Sequence, residues 1–456
     1  MRKWRLLSAL LAVLAAAGLL VSALWVSASG HDVTFAETLL EGEAADFQGI
    51  EITARAQLGW DVLWETALRP GTNRAQQTHR TYAVPVSPES DIPEPCISVS
   101  MGVFYGAQTE MDESALRHGA DRIAEQAPDG AAGQSGTISA RDMSETLPLH
   151  FAWGSSYPTE TAELRPFFQI PTPEDWTVSI GIVFADPANH SLGYGIEAVE
   201  PNGGSWPALT VCSAGLNSDA GPQIYFTLDC SLPNGGALDL SAVEQGGGIY
   251  CYRPTHDTIQ TVYPFPPETR VHALWLSADH ETLYLIRTLG EETTLTVLSV
   301  PEMAERQIIA LPFAAPAQLL EPICQENTLL IPEASGALFV LTAGDDGHLT
   351  PEMLIHTADD PAFQPAAGQP WEDTLRYCAA FAGGRGRFAV AVPVFSATEE
   401  EPLDFLLSVY DAAGRRGTML LESSLTPDNV PEYTAYGPPD HRALHPPGPM
   451  LSIALD

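Results

Sequence analysis

Carboxylates are the reactive groups this chain offers in greatest number: 58 Asp and Glu stand against 21 Lys and Arg, a formal charge of −37. Two carboxylates flanking a glycosidic bond can act as acid and base, or as acid and nucleophile. The adjacent sets are Asp345 with Asp346, Asp359 with Asp360, Glu372 with Asp373, and Glu399, Glu400 and Glu401. Turn formation and surface solvation account for each, and none carries the spaced oxygen ligands, Gly turn and distal Glu of a calcium loop. His441 and His445 have the spacing of two metal ligands on one helix face, but Pro446, Pro447 and Pro449 oppose a helix there. Gly133-Gln134-Ser135-Gly136 lacks the second spaced Gly of a nucleophile elbow and is read as a flexible linker. Arg385 and Arg387, flanking Gly386, and Arg415 with Arg416 could anchor an acidic ligand, with local charge balance as the simpler account. Trp60, Trp64, Trp153, Trp176, Trp206, Trp275 and Trp371 could line a sugar or peptide groove, although core packing is the commoner fate of such rings. No catalytic, cofactor-binding or metal residue is assigned on these grounds, and no cofactor is expected.

The placement of the charge excludes some partners. Beyond the basic cluster Arg2, Lys3 and Arg5 the chain keeps 18 Arg and no Lys. So acidic a body repels phosphate backbones and anionic polymers, which argues against nucleic-acid binding. The missing lysines leave no Schiff-base nucleophile past the N-terminus. An apolar content of 45% is ordinary for a globular chain and opposes disorder.

Behind the basic cluster, Leu6 to Val26 is apolar throughout, with no charge and no proline. As a helix a run of about 21 residues spans a hydrocarbon core of roughly 30 Å. Residues 1–29 are therefore expected to be a signal anchor that leaves the rest of the chain outside the cytoplasm. Cleavage after Val26-Ser27-Ala28 is the alternative and would release the protein. The six cysteines, at 96, 212, 230, 251, 324 and 378, are too sparse to replace a core, and none has Cys-x2-Cys spacing. They read as isolated buried thiols, with Cys212 and Cys230 the pair to test for a disulfide.

The exported part is built of short apolar runs separated by turns, with 37 Gly and 38 Pro in the chain. A pattern of strand, short turn and strand recurs with starts at Tyr194, Ile249, Leu295, Leu338 and Phe405, paired with runs from Ala208, Ile259, Arg306, Pro351 and Thr418. Spacing near 40 to 50 residues with four strands per unit is the period of a propeller blade. Val271 to Phe313 is the clearest unit, with four strands and short connections at 278–281 and 301–305. Within it, Ser277-Ala278-Asp279-His280-Glu281-Thr282-Leu283-Tyr284 resembles the Ser-x-Asp-Gly hairpin followed by Leu-Tyr of extracytoplasmic β-propeller repeats, with His280 where Gly is usual. The chain as a whole resembles the uncharacterised membrane-anchored β-propeller-like proteins of Gram-positive bacteria. That resemblance is architectural and implies an all-β fold of about six or seven four-stranded blades, with no functional residue to transfer. A pair of β-sandwiches would use the same strands, but the recurrence is too regular for two unlike sandwiches.

In the first half, Gly49 to Leu58 and Asp61 to Thr66 form a hairpin, and Ile97–Tyr105, Leu147–Trp153 and Thr177–Phe184 are further strands. One segment has helical periodicity, Asp112 to Gln126, with Asp112 as its cap and Leu116, Ala120, Ile123 and Ala124 on one face. The expected organisation is anchor at 1–29, juxtamembrane linker at 30–45, and a propeller-like domain at 46–456 carrying a helix-and-loop insertion at 107–145. Met450 to Leu455 is expected to close the ring against the Gly49 hairpin. Function follows the scaffold: a membrane-tethered extracytoplasmic binding or scaffold protein whose ligand is a protein, peptide or glycan. A carbohydrate-active hydrolase or lyase on the same scaffold is the alternative. A sensor is disfavoured, because the tail ahead of the span is too short to be a domain.

Overall fold

The computed structural model describes residues 13–21 and most of 33–455; the longest stretches outside the description are 1–12, 22–32, 82–97, 104–112, 395–403, 425–432 and 436–449. Residues 13–21 are helical, with Val13, Leu14, Leu19, Leu20 and Val21 exposed. Among the described residues no helix is long and apolar enough to cross a membrane, and the remainder of the expected span lies outside them. The chain divides into two compact units, Met1–Ile92 with Pro322–Asp456, and Pro93–Glu321.

The first unit opens with β1 (Phe35–Glu41), β2 (Ile50–Leu58), β3 (Val62–Leu68) and β4 (Gln77–Thr81). The second begins with β5 (Ser98–Val103), α1 (Glu113–Gln126), β6 (Ser135–Ser139), β7 (Leu149–Gly154), β8 (Glu160–Glu163), β9 (Trp176–Asp186) and β10 (Ser191–Pro201). These make two three-stranded sheets, ordered β5-β7-β8 and β10-β9-β6. Two four-stranded meanders follow. One is β11 (Ala208–Ser218), β12 (Gly221–Ser231), β13 (Gly248–Arg253) and β14 (Thr258–Pro264); the other is β15 (Arg270–Leu276), β16 (Thr282–Leu289), β17 (Glu292–Ser299) and β18 (Glu305–Ala310).

The chain then returns to the first unit with β19 (Ile323–Gln325), β20 (Thr328–Glu333), β21 (Ala337–Ala343) and β22 (Leu349–His356), a third meander. After α2 (Trp371–Tyr377) a fourth consists of β23 (Ala380–Gly384), β24 (Arg387–Val394), β25 (Asp404–Asp411) and β26 (Gly414–Ser423). Last come β27 (Tyr433–Ala435) and β28 (Met450–Leu455), both pairing β2.

Within each meander the middle strands read as unbroken apolar runs because both faces are covered. Leu283, Leu285 and Ile286 of β16, and Leu338, Val340 and Leu341 of β21, are all fully buried. In the second unit Leu216, Tyr225, Ile249 and Cys251 meet Leu274, Leu283, Leu285 and Leu298, so the two meanders share one apolar layer. The three-stranded sheets share another core, in which Phe168 and Tyr250 sit edge-on at 4.9 Å and Phe151 and Phe226 lie 5.2 Å apart. Each ring removed from water is worth about 1.5–3 kcal/mol. Trp176 belongs to this core at 1% exposure, which settles its role as packing. Trp275 stacks on Tyr284 at 5.1 Å, and Trp371 packs edge-on against Phe363.

Hairpin pairing follows the expected repeat at four of its five copies: β13–β14, β17–β18, β21–β22 and β25–β26. The copy beginning at Tyr194 is different, because β10 pairs back onto β9 while β11 pairs forward onto β12. Residues 30–45, expected as a linker, contain β1, which pairs antiparallel along β26 from Phe35↔Ser423 to Glu41↔Thr418. The open edge of the fourth meander supplies unpaired backbone groups, and Phe35 inserts beside Phe405. Gly42 makes this docking possible: its φ is +85°, and a Cβ there would stand 2.4 Å from the Arg416 carbonyl oxygen. At the other chain end β28 pairs with β2 from Ile50↔Leu455 to Arg55↔Met450, the strand pairing expected from sequence.

The 107–145 insertion is more than decoration. Helix α1 buries Leu116 and Ala120, and Gly119 lets it approach Ile138 and Ile180 closely. Strand β6, which includes Ser135 of the supposed flexible linker, pairs β9. Asp112 lies outside the described residues. Alternation of Thr137, Ile138 and Ser139 is too short a signal to oppose the glycines around it.

Candidate functional site

The β15–β16 hairpin turns through Ser277 to Thr282. Ser277 N–H donates to Thr282 O at 2.8 Å and His280 N–H to Ser277 O at 2.9 Å. Asp279 Oδ1 accepts from the Ser277 hydroxyl and from Glu281 N–H, and the Ser277 hydroxyl chiefly holds its carboxyl below the usual carboxylate value. The corner closes with His280 at φ +59°. Glycine occupies such a left-handed position without cost, whereas a side chain there is strained. The departure from the Ser-x-Asp-Gly pattern therefore has a structural consequence, an imidazole held at a strained corner.

A second strained corner lies beside it. In the loop between β17 and β18, Met303 has φ +51°. Val300 N–H donates to Glu281 O at 2.9 Å, which ties this loop to the His280 hairpin. His280, Val300 and Met303 line one side of a cavity of about 480 Å³ within the second unit. The first meander supplies the other side: Leu216 from β11, Gln223 and Tyr225 from β12, Arg253 from the end of β13 and Val262 from β14.

The polar groups here are arranged to offer hydrogen. Tyr225 is buried, which pushes its phenol up to about 12 and keeps it neutral; its hydroxyl donates to Gln223 Oε1 at 3.2 Å. Arg253 Nη1 donates to Gln260 Oε1 at 3.3 Å, and among the described residues the guanidinium makes no ion pair. Among the described residues Gln260 takes one of its five N–H donors. No Asp or Glu is among the described lining residues. Leu216, Val262, Val300 and Met303 flank these donors.

The arginines singled out from sequence sit elsewhere and are engaged. Arg387 donates from Nη1 to Gln48 O at 2.8 Å and from Nη2 to Asp46 O at 2.6 Å. Arg415 pairs with buried Asp360 at 2.9 Å and with Glu41 at 2.8 Å, and Tyr410 Oη donates to Asp360 Oδ2 at 2.8 Å. Arg416 lies 3.4 Å from Asp411. Local charge balance is the correct account of Arg415 and Arg416. Arg385 is exposed in a turn at φ +54°.

The remaining candidates are dispersed. Glu372 and Asp373 lie in the first turn of α2. Asp345, Asp346, Asp359, Glu399 to Glu401, His441 and His445 lie outside the described residues, as do Trp60, Trp206, Cys96 and Cys378. Cys212 and Cys230 are free thiols. Cys212 stands opposite Thr227 and Cys230 opposite Leu209, an offset of three residues or about 10 Å along a strand, beyond disulfide reach. Burial raises both thiols, Cys230 to about 11, and makes them poor nucleophiles. Cys324 is exposed, against the expectation of a buried thiol. Among the described residues no three His, Cys, Asp or Glu come together to hold a metal.

Sequence reading missed Arg253, Tyr225, Gln223 and Met303, which come from separate turns and strands without a shared motif. His280 was the one available signal.

No family model matches this chain, and no curated protein matches it. Among solved structures, TolB from Acinetobacter baumannii aligns over 90% of this chain and 85% of its own at 10% identity, with a TM-score of 0.23. The Dos1 propeller aligns over 62% of this chain and 77% of its own at 7% identity, with a TM-score of 0.25. A chain of a mitotic checkpoint complex aligns over 36% of this chain at 12% identity and a TM-score of 0.21, and this chain spans 51% of its length. Superpositions this loose transfer no function, and the fold rests on the strand pairing above.

Proposed function

We propose that this chain is an extracytoplasmic binding protein, tethered by its N-terminal apolar run, with propeller-like meander sheets and a ligand site at the Arg253 cavity of the second unit. The observation that carries the reading is a guanidinium that makes no ion pair among the described residues, set in a half-apolar cavity rimmed by two side chains on left-handed backbone. Backbone strain of this kind persists where surrounding structure enforces it, and it clusters at ligand sites. Chain ends that complete the β2 sheet and the fourth meander support the propeller-like scaffold. The uncharged run from Leu6 to Val26 behind three basic residues supports the tether.

The alternative, a carbohydrate hydrolase or lyase, requires two carboxylates facing one cleft. The cavity's described lining offers none, so binding is the better supported reading.

A fragment screen by thermal shift on the full-length chain in nanodiscs tests the site, with Leu216→Trp as a cavity-filling control. The expected result is a set of hits that the control loses. Hits that persist in the control, or none at all, contradict the reading. The tether is tested separately by alkaline washing of membranes, and full release of the chain into the wash would remove it.

A further inference from the structure

We infer that the Arg253 cavity takes an apolar carboxylate, either a small free acid or the C-terminal residue of a peptide; this rests on the cavity being the ligand site. A guanidinium presents N–H donors in a planar fork that matches a carboxylate. Among the described residues Arg253 has Gln260 as its side-chain hydrogen-bond partner, and no acidic side chain among them lines the cavity. Tyr225 is held neutral by burial and donates to Gln223 Oε1 at 3.2 Å, which fixes the phenol beside the guanidinium.

The rest of the lining sets the other half of the ligand. Val262, Val300 and Met303 offer an apolar wall to a branched or aromatic group, and a volume of about 480 Å³ accommodates one of leucine or phenyl size with room for an extension. Methionine adapts to different apolar shapes. His280 completes the rim from the strained corner. Glycine at this corner would relieve the backbone but would remove the imidazole, so the sequence keeps a costly residue where the cavity needs a side chain.

The surrounding charge sharpens the choice. An acidic surface repels polyanions at long range, which disfavours phosphorylated or polyanionic ligands. A single carboxylate on an apolar body carries the least repulsion that still satisfies the guanidinium.

The experiment is calorimetric titration of the full-length chain in nanodiscs with 4-methylpentanoate, 4-methylpentanamide and N-acetyl-leucine. The acid is expected to bind at least about 10-fold tighter than the amide, the difference made by a charge-assisted hydrogen bond. Arg253→Gln should abolish that preference. His280→Gly should weaken the acid about 3-fold while the protein stays folded, since the substitution relieves backbone strain. Tighter binding of N-acetyl-leucine than of the free acid assigns the site to a peptide C-terminus; the reverse order assigns it to a small acid. Equal binding of acid and amide, both lost in Leu216→Trp, overturns the carboxylate while leaving the cavity a ligand site. Acid binding unchanged in Arg253→Gln also overturns it, as does failure of all three probes when other fragments bind in the cavity. Failure of the probes together with an empty fragment screen removes the site reading itself.

Discussion

Arg415 in the first unit and Arg253 in the second both stand at strand ends of a meander sheet, yet they meet opposite surroundings. Arg415 is clamped between Asp360 and Glu41, with Asp360 also held by Tyr410. The clamp joins β26 to β1, so it fastens an N-terminal strand onto a sheet formed more than 300 residues later. Arg253 faces a cavity with one neutral hydrogen-bond partner. The first arrangement commits three guanidinium donors to carboxylates of the fold, and the second commits one, to Gln260, among the described residues. Charge paired with carboxylates reads as structure; charge with no ion pair among the described residues, beside a cavity, reads as function.

Breaking the clamp should have the largest effect. Arg415→Met removes the cation paired with buried Asp360, and the expected loss is about 3 kcal/mol, at the low end for a buried pair because Arg415 keeps part of its side chain in water. Urea unfolding should show it as a lower midpoint. His280→Gly should move stability the other way by about 1 kcal/mol, since a left-handed corner no longer carries a side chain. A lower thermal midpoint would mean that the imidazole contributes more to packing than the strain costs.

Arg253→Gln should shift stability by less than about 0.5 kcal/mol, as for substitutions away from structural contacts. A loss comparable to that of Arg415→Met would erase the contrast between the two arginines. The smallest effect concerns His272 on β15, where burial lowers the imidazole below its ordinary value of 6.5. The unfolded chain then binds a proton that the folded one resists, so stability present above about pH 6.5 declines as pH falls toward the folded value. His272→Gln should flatten that acid-side slope between pH 7.5 and 5, measured by thermal melts at each pH.

The meanders were legible in the sequence because their middle strands are apolar on both faces and their turns are short. Val271 to Phe313 reads directly as β15 to β18. The Tyr194 copy misled because two 11-residue strands, β10 and β11, lie next to each other in sequence while pairing in opposite directions. Strand β1 was invisible as a strand because its burial rests on one residue, Phe35, with the rest of its side chains exposed. The site was harder still. Its polar groups come from two strands, β12 and β13, and the His280 turn, and residues such as Gln223 and Arg253 look like ordinary surface positions. Only His280 signalled itself, as a non-glycine at a corner whose hydrogen bonds demand positive φ.

The central claim is that Arg253 and its cavity receive a ligand carboxylate. The most direct measurement is a crystal structure of the protein grown with 4-methylpentanoate. The account predicts the carboxylate within hydrogen-bond distance of the Arg253 guanidinium, with its methyl groups against Val262 and Met303. A ligand bound elsewhere, or an empty cavity at a concentration that saturates binding in solution, would contradict it.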